Sequence, residues 1–237
     1  MPEATVPPRR TPFPILDGMN IERLSPILFA AFGLGYWLSL WTPGFPGDWA
    51  VKAAPMLLAA GVLCVRLPAR LGVPMTIGFV AAAAGDIFLA LDRHEYLMQG
   101  LLCFLVTQLA YSVAFVQRRR PLGDRLEFRL PPAVYGGVVL AMMLPGLGAF
   151  MLPVFVYVSA LVAMAVLAAG VEDRPGRVWS GAVLFLVADS LIGIDRFIAP
   201  FAYSEIVIVG LYTTAQFLIF TGMLGLEPTG HRQTNRP

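Results

Sequence analysis

The sequence predicts an all-α, polytopic membrane protein with eight transmembrane helices in two pseudo-repeated halves. Of its 237 residues, 57% are hydrophobic and 14% charged, and the mean hydropathy is +0.72, which leaves too little charged surface for a soluble domain of this length. Apolar windows of about 20 residues, enough to cross about 30 Å of hydrocarbon, recur along the chain. A motif containing an aspartate also occurs twice, at Asp86 and Asp189.

The apolar windows predict the spans in chain order at residues 24–41, 49–66, 72–91, 97–116, 132–150, 152–170, 178–195 and 203–224. The fifth and sixth windows are separated only by LPGLGAFMLP, whose prolines and glycines break a helix and permit a tight reversal. The Pro-rich residues 1–20 and the polar residues 227–237 have little apolar content, and we expect them to be disordered. Residues 21–226 then form a single transmembrane domain.

The basic residues predict the orientation of these spans. With both termini in the cytoplasm, fourteen arginines lie on that side, and Lys52, Arg93 and Arg196 lie opposite. This bias follows the positive-inside rule, and we expect a multi-pass protein of the bacterial inner membrane with cytoplasmic termini. The QRRR run at 117–120 is then a cytoplasmic anchor rather than a nucleic-acid site.

The two aspartates belong to an internal repeat. AGDIFLALDRH (84–94) aligns without gaps on VADSLIGIDRF (187–197), and the offset spans four helices. An even number of helices means that the two copies run in the same direction, as in parallel repeats. Asp86 and Asp189 should therefore lie at similar depth, facing each other across one cavity in the half of the bilayer away from the cytoplasm.

Further polar residues follow each aspartate. The fourth span carries Gln108 and Tyr111, and the eighth carries Tyr212 and Gln216. Spacings of three and four residues put each pair on one helix face, which can point into the bundle. Lys52, the only lysine, lies near the outer end of the second span, either as the counter-ion of an aspartate or as an interface anchor.

These motifs, in this order, resemble the YhhN-like family of membrane lysoplasmalogenases. The resemblance covers residues 24–224 and rests on KAAPM (52–56), GDIFLAL (85–91), QGLLCFLVTQLAYSVAF (99–115), GAVLFLVADSLIGIDRF (181–197) and YTTAQ (212–216). The family often has His where Gln108 stands and Ser where Ala188 stands, so a mechanism that needs an imidazole on the fourth helix does not transfer.

The resemblance implies hydrolysis of the vinyl ether bond of a lysoplasmalogen to a fatty aldehyde and a glycerophospho-base. This reaction needs a proton donor, an anion and a water, and two carboxyl groups in one apolar pocket can divide those tasks. We therefore expect Asp86 and Asp189 to be catalytic as an acid/base dyad, with either one as the acid. The expected substrate-binding residues are Lys52, Gln108, Tyr111, Ser190, Tyr212, Gln216, Arg93 and Arg196.

The repeated Asp-Arg pair suggests how the substrate phosphate is held. Seven residues are close to two helical turns, so Arg93 and Arg196 should lie on the faces of Asp86 and Asp189, about 10 Å nearer the outer surface. An arginine at that depth either binds the phosphate of a lysophospholipid or anchors the helix end at the interface.

The sequence is also compatible with other classes of membrane protein. The chain has no G-x-S-x-G motif and only two histidines, His94 and His231, so a serine or zinc hydrolase is disfavoured and we expect no metal and no cofactor. A proton-coupled transporter would also use duplicated intramembrane carboxylates. A non-catalytic scaffold would use both aspartates only to bond helices together. The sequence does not indicate the oligomeric state.

Overall fold

A computed structural model describes residues 21–93, 95–121, 123–173 and 176–226. These residues form eight α-helices: α1 (Ile21–Ser39), α2 (Asp48–Arg66), α3 (Ala69–Leu91), α4 (Leu97–Val116), α5 (Leu126–Met143), α6 (Met151–Ala168), α7 (Arg177–Phe197) and α8 (Ser204–Leu224). The terminal segments that we expect to be disordered, 1–20 and 227–237, lie outside the described residues, as does His94.

The helices are those of a multi-pass membrane protein, which confirms the predicted fold class. In the described part of the chain, the seven helices from α2 to α8 are long and apolar enough to cross a membrane. The first helix has similar length, but it begins at Ile21 and therefore includes the charged Glu22 and Arg23 in its first turn. Large apolar side chains such as Ile27, Val134 and Leu152 are exposed, as expected for a surface in contact with lipid.

Most predicted boundaries agree with the helices to within three residues, but the fifth does not. That helix begins at Leu126 and ends at Met143, whereas the apolar window gave 132–150. The window excluded Arg129, yet this side chain is buried because backbone carbonyls accept its hydrogen bonds. The predicted reversal between the fifth and sixth spans is confirmed, since Leu144–Gly146 and Gly148–Phe150 form two short 3-10 turns there.

The packing of the helices reflects the sequence repeat in part. In the first half, α3 lies between α2 and α4, whereas in the second half α7 packs mainly along α8 and much less on α6. The halves meet where α4 contacts α6 and where α8 contacts α1 and α2. The contacts of α4 with α6 and of α8 with α2 are equivalent under the repeat, in which α4 corresponds to α8 and α2 to α6.

Two glycines allow the close approach of the repeated helices. The offset that relates Asp86 to Asp189 also relates Gly78 to Gly181. A Cβ atom on Gly78 would clash with the Tyr111 ring on α4, and one on Gly181 would lie 2.7 Å from the backbone oxygen of Ala215 on α8. Small residues let helix backbones pack tightly in membranes, so α3 and α7 each press against the helix that follows.

Arg129 connects the ends of α4, α5 and α6 on one side of the bundle. The side chain is only 3% exposed. Its Nε donates to the Asp124 oxygen at 2.9 Å, Nη1 donates to the Val166 oxygen at 3.3 Å, and Nη2 donates to the oxygens of Arg120 and Pro121 at 3.3 and 3.2 Å. Three of these carbonyls belong to the loop between α4 and α5, so the guanidinium ties that loop to the end of α6.

Candidate active site

Asp86 lies on α3 in the interior of the bundle and is 1% exposed. The Tyr212 hydroxyl on α8 donates a hydrogen bond to its Oδ2 at 2.9 Å. Lys52 on α2 is also buried, interacts electrostatically with Asp86, and has its Nζ 5.6 Å from the centroid of the Tyr36 ring. Because the Lys52 side chain is buried beside Asp86, its position favours a counter-ion over an interface anchor.

Asp189 lies on α7 and is also buried, at 8% exposed. The Tyr157 hydroxyl on α6 donates a hydrogen bond to its Oδ2. Gln108 on α4 is fully buried against both Tyr157 and Asp189, but its two polar side-chain atoms make no hydrogen bond of good geometry within the described residues. Its amide can therefore bond a group that enters beside Asp189.

Three aromatic rings from α4, α7 and α8 pack together beside the aspartates. Phe104, Phe185 and Tyr212 pack edge to face, with centroids 5.5 to 6.2 Å apart. The Phe104 ring is 3.0 Å from where a Cβ on Gly85 would lie, next to Asp86, and Phe185 is one turn before Asp189. The carboxyl groups interact electrostatically within this apolar surrounding. Each charge is therefore felt by the other with little screening by water.

A small cavity of about 40 Å³ opens beside Asp189. Its polar lining comes from Tyr157, Asp189, Ser190 and Arg196, and its other walls are mostly aliphatic side chains of α4, α6 and α7. Asp86 is not among the lining residues, so this cavity differs from the expected one that both carboxyl groups share. The cavity has room for a few water molecules, whereas a bound lipid needs several hundred Å³.

The two predicted pairs of polar residues point into the bundle, as expected. Gln108, Tyr111, Tyr212 and Gln216 are all buried. The Tyr111 hydroxyl donates to Oε1 of Gln216 at 2.8 Å and joins α4 to α8, the equivalent helices of the two halves. Ser190 donates to the backbone oxygen of Leu186 at 2.6 Å, within its own helix. Of these side chains, Tyr212 and Gln108 are the ones in contact with an aspartate.

The two arginines that follow the repeated motif occupy different positions. Arg196 is part of α7 and lines the cavity together with Asp189, as the helical spacing predicts. Arg93 lies beyond the end of α3 at Leu91, so the prediction that it shares a helix face with Asp86 is wrong. The chain leaves the helix at Asp92, and Arg93 forms an ion pair with Asp195 at 3.6 Å. This contact joins the corresponding ends of the two repeated motifs.

Sequence reasoning missed Tyr157 and Asp195. Tyr157 is the only tyrosine in the most apolar span, and a phenol hydroxyl in such a helix is a signal that could have identified it. Asp195 was read only as part of the repeated Asp-Arg pair. Besides its ion pair, its Oδ1 accepts a hydrogen bond from the amide of Phe201 at 3.2 Å.

No group of three or more His, Cys, Asp or Glu residues that could hold a metal ion occurs among the residues that the structure describes.

Comparison with known proteins identifies the family. The family model described as YhhN matches residues 47–223. The chain belongs to the YhhN family. Residues 47–223 of this YhhN protein hold both aspartates and their tyrosine partners. No solved structure matches the chain.

Several relatives of this YhhN protein carry the name lysoplasmalogenase. Lysoplasmalogenase TMEM86A of Bos taurus is 34% identical over 76% of this chain and 80% of its own length. The human TMEM86A is 32% identical over 81% of this chain and 86% of its own length. A lysoplasmalogenase of Mycobacterium bovis is 30% identical over 73% and 69% of the two chains. The similarity therefore extends through most of the helical bundle.

Proposed function

We propose that this YhhN protein hydrolyses the vinyl ether bond of lysoplasmalogens, releasing a fatty aldehyde and a glycerophospho-base. The observation that carries the proposal is the similarity to relatives named lysoplasmalogenase, which extends over 73 to 81% of this chain. The buried pair of carboxyl groups supports it, because each has a tyrosine donor and one borders a cavity. The substrate is a lysophospholipid that reaches the site within the bilayer.

The chemistry needs only protons and water. A carboxylic acid transfers its proton to the β-carbon of the vinyl ether, which leaves an oxocarbenium ion stabilised by the nearby carboxylate. Water adds at the α-carbon and gives a proton back to the carboxyl pair. The resulting hemiacetal moves its hydroxyl proton to the glycerol oxygen and separates into aldehyde and alcohol.

Release of aldehyde by the purified protein tests this function. In detergent, without any ion gradient, we expect the protein to convert a lysoplasmalogen to aldehyde at a rate proportional to protein concentration. A proton-coupled transporter would leave the lipid intact under these conditions and would move it only across a sealed vesicle with a gradient. Intact lipid after prolonged incubation with folded protein contradicts the proposal.

We expect this hydrolysis to be independent of metal ions. The proposed steps are proton transfer to carbon and addition of water, which carboxyl groups perform without a Lewis acid. Dialysis of the purified protein against EDTA and then 1,10-phenanthroline should leave kcat and KM unchanged within error. Loss of activity that returns when zinc is added would contradict the assignment of the aspartates as the acid and base.

We propose that Arg196 binds the substrate phosphate. It lines the cavity with Asp189 and lies about two turns, or about 10 Å, further along α7, a distance that the glycerol backbone between vinyl ether and phosphate can bridge. Because a guanidinium binds phosphate bidentately, Arg196→Gln should raise KM for a lysoplasmalogen about tenfold or more. An alkenyl glycerol, which lacks the phosphate, should show little change in KM.

Arg177→Gln is the matched control for this variant, because Arg177 is the first residue of the same helix, at its opposite end. We expect it to leave KM for both substrates unchanged. Equal effects of Arg196→Gln on both substrates, or no effect on either, would make Arg196 an interface anchor instead.

We further propose that both termini face the cytoplasm of a bacterial cell, with the protein in the inner membrane. The support is the distribution of basic residues. Arg66, Arg70, Arg129 and Arg177 belong to the proposed cytoplasmic end, and Lys52, Arg93 and Arg196 belong to the opposite end. In this orientation, the cavity beside Asp189 opens in the outer half of the bilayer.

A further inference from the structure

We infer that the two aspartates have fixed and different roles: Asp189 donates the proton to the vinyl ether, and Asp86 remains ionised and stabilises the oxocarbenium ion. This inference rests on the proposed hydrolase function and deepens it. It also assigns Tyr157, on α6, as the residue that positions the acid. The sequence alone does not distinguish the two roles, because both aspartates occur in the same repeated motif.

The first argument is access to the substrate. Asp189 lines the cavity, together with Ser190 and Arg196, whereas Asp86 is not among its lining residues and is almost completely buried. The general acid must come within hydrogen-bond distance of the carbon that it protonates. A carboxylate that stabilises a positive charge acts over a longer distance in an apolar surrounding. The cavity therefore favours Asp189 as the donor.

The second argument is the distribution of charge. Lys52 is buried beside Asp86, and a buried ammonium group is stable only near a negative charge. The pair is satisfied when Asp86 is ionised and Lys52 is protonated. Asp189 faces neutral groups, namely the Tyr157 hydroxyl, which donates a hydrogen bond to it, and the nearby Gln108 amide. A proton on the dyad therefore resides on Asp189, where it does not disrupt the pair of Lys52 and Asp86.

Several polar and charged groups face each carboxyl group and influence the pH at which it ionises. Those around Asp86 come from five other helices and are Tyr36, Lys52, Tyr111, Tyr212 and Asp189. Those around Asp189 are Asp86, Gln108, Tyr157 and Tyr212, with Ser190 and Arg196 on its own helix. Among the hydrogen bonds of the described residues, the Tyr212 hydroxyl donates only to Asp86 and the Tyr157 hydroxyl donates only to Asp189. Removing one of these hydroxyls should therefore change the ionisation of one carboxyl group selectively.

Two tyrosine variants can therefore assign the roles. A hydroxyl that donates to a carboxylate stabilises its ionised form, so its removal moves ionisation to higher pH. The active state requires Asp189 protonated and Asp86 ionised, which gives a bell-shaped pH profile of kcat/KM. Tyr157→Phe should move the descending limb, where Asp189 loses its proton, to higher pH by about one unit. Tyr212→Phe should move the ascending limb, where Asp86 loses its proton, by a similar amount.

Lys52→Met tests the role of Asp86 independently and should shift the pH profile in the same direction as Tyr212→Phe. It removes the cation that stabilises ionised Asp86, so it should also move the ascending limb to higher pH. Tyr135→Phe is the matched control, since Tyr135 lies on α5 and packs against the hydrophobic core; neither limb should move. Each rate is corrected for spontaneous hydrolysis in acid, and size-exclusion chromatography confirms that each variant is folded.

The outcomes separate this inference from the proposed function. A wild-type protein that releases no aldehyde at any pH contradicts the function itself. In an active enzyme, the reversed result, with Tyr157→Phe moving the ascending limb and Tyr212→Phe the descending one, overturns the division of roles. Movement of both limbs in each variant, or complete inactivity of folded Tyr157→Phe, also overturns it.

Discussion

Asp86→Asn and Asp189→Asn should each lower the rate of aldehyde release at least about a hundredfold while leaving a folded protein. An amide has nearly the shape of a carboxyl group, but it neither donates a proton to carbon nor carries the negative charge that stabilises an oxocarbenium ion. General acid catalysis alone contributes about a hundred- to ten-thousandfold. Initial rates with a lysoplasmalogen, together with thermal unfolding in detergent, measure both properties for each variant.

The double variant and a control make this experiment specific to the site. Because the two carboxyl groups act in one step, Asp86→Asn combined with Asp189→Asn should be little worse than either single variant. Asp92→Asn is the control, since this carboxylate lies beyond α3 and accepts a hydrogen bond from the Glu95 amide at 2.9 Å, which an asparagine can also accept. Near-normal turnover in either single site variant would assign that aspartate to helix packing.

Arg129→Met should destabilise the protein more than the loss of any exposed arginine. The change removes the hydrogen bonds that a buried guanidinium donates to four backbone carbonyl oxygens, and such a loss costs about 3 kcal/mol. For a chain of this length, the apparent Tm in detergent should fall by about 6 to 12 °C. Fluorescence-detected unfolding at one heating rate measures this shift, because membrane proteins commonly unfold irreversibly.

Arg120→Gln is the matched control for the stability experiment. Arg120 belongs to the same end of the bundle, but its side chain is 51% exposed and its Nε is paired with Glu172 at 2.6 Å. Exposed ion pairs contribute about 1 kcal/mol or less, so the Tm should change by only a few degrees. Equal shifts for the two variants would show that the carbonyl contacts of Arg129 add nothing beyond surface charge.

The fold class, the repeat and the candidate carboxyl groups follow from the amino-acid sequence without a structure. Hydropathy identifies membrane spans well, because a segment without water must satisfy its backbone hydrogen bonds as a helix. An aspartate within such a helix is costly enough to indicate a function, and Asp86 and Asp189 were found in this way. The spacing of Gln108 from Tyr111 and of Tyr212 from Gln216 also predicted correctly that these side chains are buried.

The surroundings of each aspartate depend on how the helices pack, which the sequence patterns do not reveal. The repeat treats Asp86 and Asp189 as equivalent, but Tyr212 comes from α8 and Tyr157 from α6, and neither partner follows from helical periodicity. Periodicity also failed for Arg93, because α3 ends before it, and hydropathy misplaced the start of α5, because backbone carbonyls stabilise the buried Arg129. Hydropathy and spacing describe one helix at a time. Which side chains meet between helices depends on packing, and here that packing makes two identical motifs chemically different.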